Sequence, residues 1–304
     1  MRMIDLFAGL GGFTEGAEMA GQRVVWAGNH WAPAVYYHSR NHPLVPMVCQ
    51  DLHQANWLEV PKHEGVLASP ACQGHTPARG KEQSHHDAQR ATAWAVTSAV
   101  ECHRPQVVIV ENVPGFLQWV LYPAWKAALE ALGYTLAEHV LDAADFGVPQ
   151  NRVRVFIVAT RSKRPLQLSF PKQSPVAFGS VVDLDSGTWS RVRKPGRSPS
   201  TLKRIAQGRR DCGKNFVMPY YGSGSGLTGR SLSRPIGTIT TRARWAIVRG
   251  NEMRMLTVAE TRAAMGFRSD YELPANVALA THLLGNGVPP GMGAAVIREV
   301  VKLA

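Results

Sequence analysis

The 304-residue chain predicts an α/β protein: a parallel sheet followed by a smaller, basic module of irregular and β structure. Three observations carry that expectation. Short apolar runs alternate with amphipathic stretches through residues 1–160. A glycine turn (Gly9, Gly11, Gly12) joins the first apolar run to the first amphipathic stretch. From about Arg161 the helical periodicity fades, and Pro, Gly, Ser and basic residues dominate through Gly229.

Each element follows from local pattern. Met3–Phe7 reads as a strand, and Thr14–Ala20 as the helix after the glycine turn. Arg23–Ala27 is a second strand and Ala32–Arg40 a second helix. Gly65–Ala68 is a short strand, followed by a longer helix over Ala88–His103. Val107–Val110 is a strand bounded by Arg104-Pro105, and Pro123–Leu132 a helix stopped by Gly133. Thr135–Leu141 and Arg152–Thr160 complete the strand set. Beyond it, Tyr220–Gly226 reads as a mobile glycine-rich connector, and regularity returns at Ile236–Thr240. Thr257–Met265 and Pro290–Leu303 are helices, the first capped at or near Thr257. Two domains are expected, one over 1–160, completed by about 251–304, and a second over 161–250.

Charge divides the chain in the same place. The net charge is +12, yet residues 161–250 hold 18 Lys and Arg against three acids (Asp183, Asp185, Asp211). The rest carries a net charge of −3. A near-neutral body with one strongly basic segment suits a catalytic domain joined to a polyanion-binding module. A solvated basic surface is the bland alternative. No apolar run approaches the roughly 18 residues that span a bilayer, so no membrane association is expected. The N-terminus reads directly into a strand without a signal peptide. The four cysteines lack C-x-x-C spacing, which speaks against a zinc site or a disulfide framework and for a reducing, cytoplasmic setting.

In open α/β sheets, ligands bind beyond the carboxyl ends of the strands. Gly9–Gly12, Asn29–Trp31, Asp51, Cys72 and Glu111 all fall at or shortly after predicted strand ends. The glycine turn is not G-x-G-x-x-G, which disfavours a dinucleotide. Cys72 lies in Ser69-Pro70-Ala71-Cys72-Gln73-Gly74-His75-Thr76, a loop with Arg79-Gly80-Lys81 beyond it. Cationic neighbours there would lower the thiol pKa, although a lone cysteine is more often a buried apolar residue. Glu111 follows an apolar, hence central, strand and should face the cleft. His75, His85 and His86 lack a completing Cys or acid cluster, so no metal site is expected.

The motif series resembles that of the DNA (cytosine-5)-methyltransferases, in that family's order across nearly the whole chain. D-L-F-A-G-L-G-G at 5–12 resembles the cofactor loop, P-A-C-Q at 70–73 the nucleophile motif, and E-N-V at 111–113 the carboxylate motif. Q-N-R-V-R at 150–154 resembles the arginine motif, R-P-I-G-T-I-T-T at 234–241 the support of the recognition domain, and G-N-G-V at 285–288 the final cofactor motif. The resemblance implies a Rossmann-like, S-adenosylmethionine-dependent methyltransferase sheet and a target-recognition domain over the basic stretch. It implies attack of the Cys72 thiolate on C6 of a flipped-out cytosine, which activates C5 to take the methyl group. Glu111 would contact N3 and the exocyclic amine. Arg154, with Arg152 beside it, would hold the base or the Cys72–Glu111 geometry. Gln73–Arg90 would close on the DNA. Phe7, Gly9 and Gly11 would run along the methionine and ribose of the donor, and Trp31 would stack on adenine. Asp51 would accept from the adenine amine, and Asn286 and Val288 would line the methionyl side. The product would be S-adenosylhomocysteine.

Two positions depart from the family pattern. The second strand commonly ends there in an acid that grips the ribose hydroxyls; here the run is Ala27-Gly28-Asn29-His30-Trp31, with His30 or Asn29 in that place. Weaker donor binding or an altered donor preference follows. Proline commonly precedes the cysteine; here Ala71 does. Double-stranded DNA is the expected partner and a monomer the expected state, with a companion restriction endonuclease one candidate partner. The alternatives are an RNA (tRNA) cytosine-5 methyltransferase, an inactive DNA-binding relative and a dinucleotide oxidoreductase. The basic stretch favours duplex DNA, the joint presence of Cys72, Glu111 and Arg154 disfavours inactivity, and that same Cys–Glu pair with the glycine spacing disfavours the oxidoreductase.

Overall fold

A computed structural model of the chain describes residues 1–71, 85–220 and 229–304. Cys72, and the predicted closing loop up to residue 84, lie outside the described residues, as does the predicted connector beyond Tyr220. The chain forms two compact units. The first comprises Met1–Asp142, Val153–Lys172 and Gly287–Ala304; the second comprises Ala143–Arg152 and Gln173–Asn286.

The first unit is built on a seven-stranded sheet. Its strands are β1 (Arg2–Leu6), β2 (Arg23–Asn29), β3 (Met47–Cys49), β4 (Gly65–Ala68), β5 (Val107–Asn112), β6 (Thr135–Asp142) and β7 (Val153–Thr160), in the order β3-β2-β1-β4-β5-β7-β6. The first five are mutually parallel. β7 runs antiparallel to both of its neighbours. The parallel sheet expected from the sequence is therefore a mixed one, because β6 and β7 pair directly without the helical crossover that a parallel pair needs. β4 and β5 are buried throughout, which is why they read as unbroken apolar runs. Helices α1 (Gly12–Met19), α2 (Ala32–Asn41), α3 (His85–His103) and α4 (Tyr122–Ala131) follow β1, β2, β4 and β5. Aromatic packing pins α4: Trp125 is fully buried, meets Phe116 edge-on and donates its indole N–H to the Ala93 carbonyl of α3.

The second unit holds an antiparallel sheet of β8 (Ser190–Arg191), β9 (Asn215–Pro219), β10 (Arg230–Ser231), β11 (Trp245–Arg249) and β12 (Glu252–Met255), in the order β10-β9-β11-β12-β8. Among its described residues are also the helices α5 (Pro199–Cys212), α6 (Val258–Ala264) and α7 (Val277–Asn286). α5 corrects the expectation that helical order is absent from 161 to 229. Its buried residues are Thr201, Ile205 and Gly208, so the inward stripe is nearly devoid of large apolar side chains and leaves little periodicity to read. Gly208 is required there: a Cβ would stand 2.3 Å from a Phe216 ring carbon. Ser198 caps the helix by accepting from the Thr201 N–H. Residues 236–240 contribute a single parallel bridge, Gln150 to Ile236, rather than a strand. α8 (Pro290–Leu303) returns to the first unit and packs on α1.

Candidate active site

The register of the first sheet brings four predicted segments to one edge. Leu6 pairs with Gly28 and with Ala68, and Ala68 pairs with Val110. The chain leaving β1 (Phe7–Gly12), β2 (His30-Trp31) and β4 (Ser69–Ala71), and the last residues of β5 (Glu111-Asn112), therefore emerge side by side. Arg154 reaches the same edge because β7 runs the opposite way and starts where β5 ends, with Asn112 opposite Val155.

At this edge the Arg154 guanidinium Nε lies 3.0 Å from Glu111 Oε1, with both side chains about nine-tenths buried. A charge-assisted contact in so little solvent holds the carboxyl in one orientation. The neighbouring Asn112 is 1 % exposed; its side-chain amide donates to the Pro70 carbonyl at 3.1 Å, and its Oδ1 accepts from the Val113 N–H. The strand end that presents Glu111 thus also grips the backbone two residues before Cys72. Asn112 carries no role of its own in the sequence reading, although it is the middle residue of the E-N-V motif.

The turn after β1 is unusual in its backbone. Phe7 (φ 58°), Gly9 (φ 55°) and Gly11 (φ 101°) are all left-handed, and for an aromatic residue that conformation is strained. Among the described residues, a Cβ on Gly9 would approach only the Phe7 carbonyl, at 3.9 Å, so these residues leave the space above the turn open. Gly12 serves a different end: its Cβ would fall 2.0 Å from the Val288 carbonyl oxygen. Only glycine lets the first motif and the last come this close. Val288 is buried, while Asn286, the final residue of the second unit, is exposed. At the end of β2, Asn29 is buried and turns its Oδ1 to the Trp31 N–H at 2.9 Å, while His30 is exposed. Of the two candidates at that place, His30 is the one open to a ligand. Trp31 is half-buried, and exposed Asp51 accepts from the His53 N–H at 3.0 Å.

Beneath the turn lies a buried polar chain. Thr14 Oγ1 donates to Asp5 Oδ2 at 2.8 Å and lies 3.0 Å from His38 Nε2. Burial pushes the Asp5 carboxyl up to about 7, against the bonds from Thr14 that favour the carboxylate. Burial also drives His38 down to about 3, with His42 adding to the effect. His42 in turn stands 3.0 Å from Glu18 and 3.8 Å from Glu15, tying α2 to α1.

Arg152 belongs to the second unit. It is 2 % exposed, and its guanidinium donates to the carbonyls of Ile239 (2.9 Å) and Gly285 (2.8 Å). Other arginines of that unit are likewise spent on backbone: Arg204 on Pro219 and Tyr220, Arg209 on Gly250, and Arg230 on Pro235. In contrast, Arg191, Arg193, Lys194, Lys203, Lys214 and Arg242 are exposed and form no ion pair among the described residues.

Residues 1–302 match the model of the C-5 cytosine-specific DNA methylases. The chain belongs to that family. Among the relatives of this methylase, the Type II methyltransferase M.MspI of Moraxella sp is 26 % identical over all of this chain and 69 % of its own length. M.HhaI of Haemophilus parahaemolyticus is 27 % identical over 95 % of this chain and 90 % of its own. A solved structure of Spodoptera frugiperda DNMT2 aligns over 99 % of both chains with a TM-score of 0.73 at 17 % identity, a likeness of fold. The methylase is accordingly a mixed α/β enzyme with the sheet of its family, and among the described residues no helix is long and apolar enough to cross a membrane.

Proposed function

We propose that this methylase transfers a methyl group from S-adenosylmethionine to C5 of a flipped-out cytosine in duplex DNA, with Cys72 as nucleophile and Glu111 as the carboxyl that activates the ring. The observation that carries the reading is the shared sheet edge: Glu111, held by Arg154 at 3.0 Å, emerges beside the β4 exit that leads into Cys72. The Cys72 thiolate adds to C6, and electron density moves to C5. Glu111 engages N3 and the exocyclic amine, and Arg154 keeps that carboxyl aimed. After C5 gains the methyl group it loses its proton to a base, and the thiolate leaves. Within the second unit, Arg152 braces the backbone at Ile239 and Gly285.

The first unit fits the donor. The open space over Gly9, the left-handed Phe7–Gly11 turn and the contact of Gly12 with Val288 form a cradle at the strand ends. Phe7, Gly9, Gly11, His30, Trp31, Asp51 and Val288 of this unit would hold the cofactor, which when bound supplies an electrophilic methyl group. The second unit, with its exposed cations, would bind and read the DNA. A monomer acting in the cytoplasm of a bacterial or phage-infected cell, with or without a companion restriction endonuclease, suits this role.

Duplex DNA carrying 5-fluorocytosine tests the chemistry, because fluorine at C5 blocks the final elimination. A covalent adduct should accumulate with the native chain and be absent with Cys72→Ala, which should still bind DNA. Equal adduct formation by Cys72→Ala would remove the nucleophile assignment. Competition between duplex DNA and tRNA for methyl transfer separates the two substrates, and bisulfite sequencing of DNA from expressing cells reports the target.

A further inference from the structure

The three residues that lead from β4 into Cys72 are each tied to a different element. The Ser69 N–H donates to the Leu6 carbonyl at the end of β1, at 3.0 Å. The Pro70 carbonyl accepts from the Asn112 amide of β5, at 3.1 Å. The Ala71 N–H donates to Thr92 Oγ1 of α3, at 3.0 Å. The third tie exists only because residue 71 is not proline: a proline would have neither the N–H nor freedom in φ. A non-proline residue leaves its φ to be set from outside and brings an N–H that needs a partner when partly buried. Thr92 answers both needs from a rigid place, since Trp125 bonds the carbonyl of the next residue, Ala93, which is fully buried.

We propose that Thr92 is a positioning residue for the nucleophile, its hydroxyl holding the Ala71 N–H and so fixing the backbone from which Cys72 departs. The inference rests on the reading of Cys72 as nucleophile. A hydroxyl on α3 does here what a pyrrolidine ring does at the same position: it restrains the backbone at the N–H side of residue 71. Covalent attack depends steeply on such placement, because a misplacement of about 1 Å can cost about 100-fold in rate.

The test compares the full-length native chain with Thr92→Val, Thr92→Ser, Thr92→Ala, Ala71→Pro/Thr92→Ala and Cys72→Ala. Three quantities are read: the Kd for duplex DNA, the single-turnover rate of methyl transfer, and the rate of adduct formation on 5-fluorocytosine duplex. Thr92→Val should slow both rates about 10-fold, the worth of one lost hydrogen bond of about 1.4 kcal/mol, with Kd changed less than twofold. Thr92→Ser keeps the acceptor and should stay near the native rates. Ala71→Pro/Thr92→Ala should be faster than Thr92→Ala, because the ring replaces the lost tie. Native rates in Thr92→Val overturn the proposal, as does a Thr92→Ser variant as slow as Thr92→Val, which would make the role one of packing. If the proline variant does not fold, the valine and serine variants decide. Methyl transfer by Cys72→Ala would instead remove the underlying reading, so the two failures are distinct.

Discussion

Asp5 and His38 flank one hydroxyl, that of Thr14, and burial moves their protonation in opposite directions. The Asp5 carboxyl rises from 3.8 to about 7, so between those values the native state holds a proton that the unfolded chain has released. Raising pH through that window therefore weakens the native state. His38 falls from 6.5 to about 3, so over that range the unfolded chain holds a proton that the native state lacks, and raising pH strengthens the native state. From roughly pH 4 to 6.5 the two slopes oppose each other. Asp5→Asn should uncover the histidine slope: stability rising with pH across that range, on the order of 1 kcal/mol per pH unit. Denaturant titrations at several pH values would show it, and a profile unchanged from that of the native chain would refute the assignment. His30 carries a second residue-scale prediction. It is exposed beside Trp31, in the place where a carboxylate would grip two hydroxyls at once. One edge of an imidazole ring offers a single bond, so His30→Glu should tighten S-adenosylmethionine binding several-fold by calorimetry; an unchanged Kd would dismiss the idea.

Elements meet here through glycine. α1 begins against the chain leading into α8, and a side chain at Gly12 would collide with the Val288 carbonyl at 2.0 Å. Backbone cannot yield as a flexible side chain does, so Gly12→Ala should exceed the usual overpacking cost of about 1–3 kcal/mol. A lowered thermal midpoint and loss of donor binding are the expected readouts; a midpoint within 2 °C of native, on the scale of ~2–4 °C per kcal/mol for a chain of this size, would contradict it. The elements also differ in how far sequence revealed them. β4 and β5 were legible because burial on both faces demands unbroken apolar runs. α5 was not, because its inward stripe of Thr201, Ile205 and Gly208 is shaped to the Phe216 ring rather than rich in hydrocarbon. The reversed direction of β7 was invisible as well, since strand patterns carry no sign of orientation.

For the whole molecule, charge is the property with a consequence. Residues 161–250 carry a net +15, yet Arg204, Arg209 and Arg230 are engaged with backbone carbonyls. Exposed cations of that unit remain for phosphates, six of them being Arg191, Arg193, Lys194, Lys203, Lys214 and Arg242. If all six engage, affinity for duplex DNA should fall on the order of 10³-fold between 50 and 200 mM salt. Fluorescence anisotropy over that range measures it, and a salt-independent Kd would exclude the second unit as the polyanion-binding surface. By itself the sequence determined the family, the order of the motifs and most strands and helices of the first unit, and it put forward Cys72, Glu111 and Arg154 as candidates. These are local or written in residue type. Only the tertiary structure decided that Arg154 lies on Glu111, that Arg152 braces Ile239 and Gly285, that His30 rather than Asn29 is open, and that Ala71 is held by Thr92. Apart from the local bond of Asn29 to Trp31, those facts depend on which groups packing brings within 3 Å across 21 to 133 residues of chain, and no local pattern encodes such a distance.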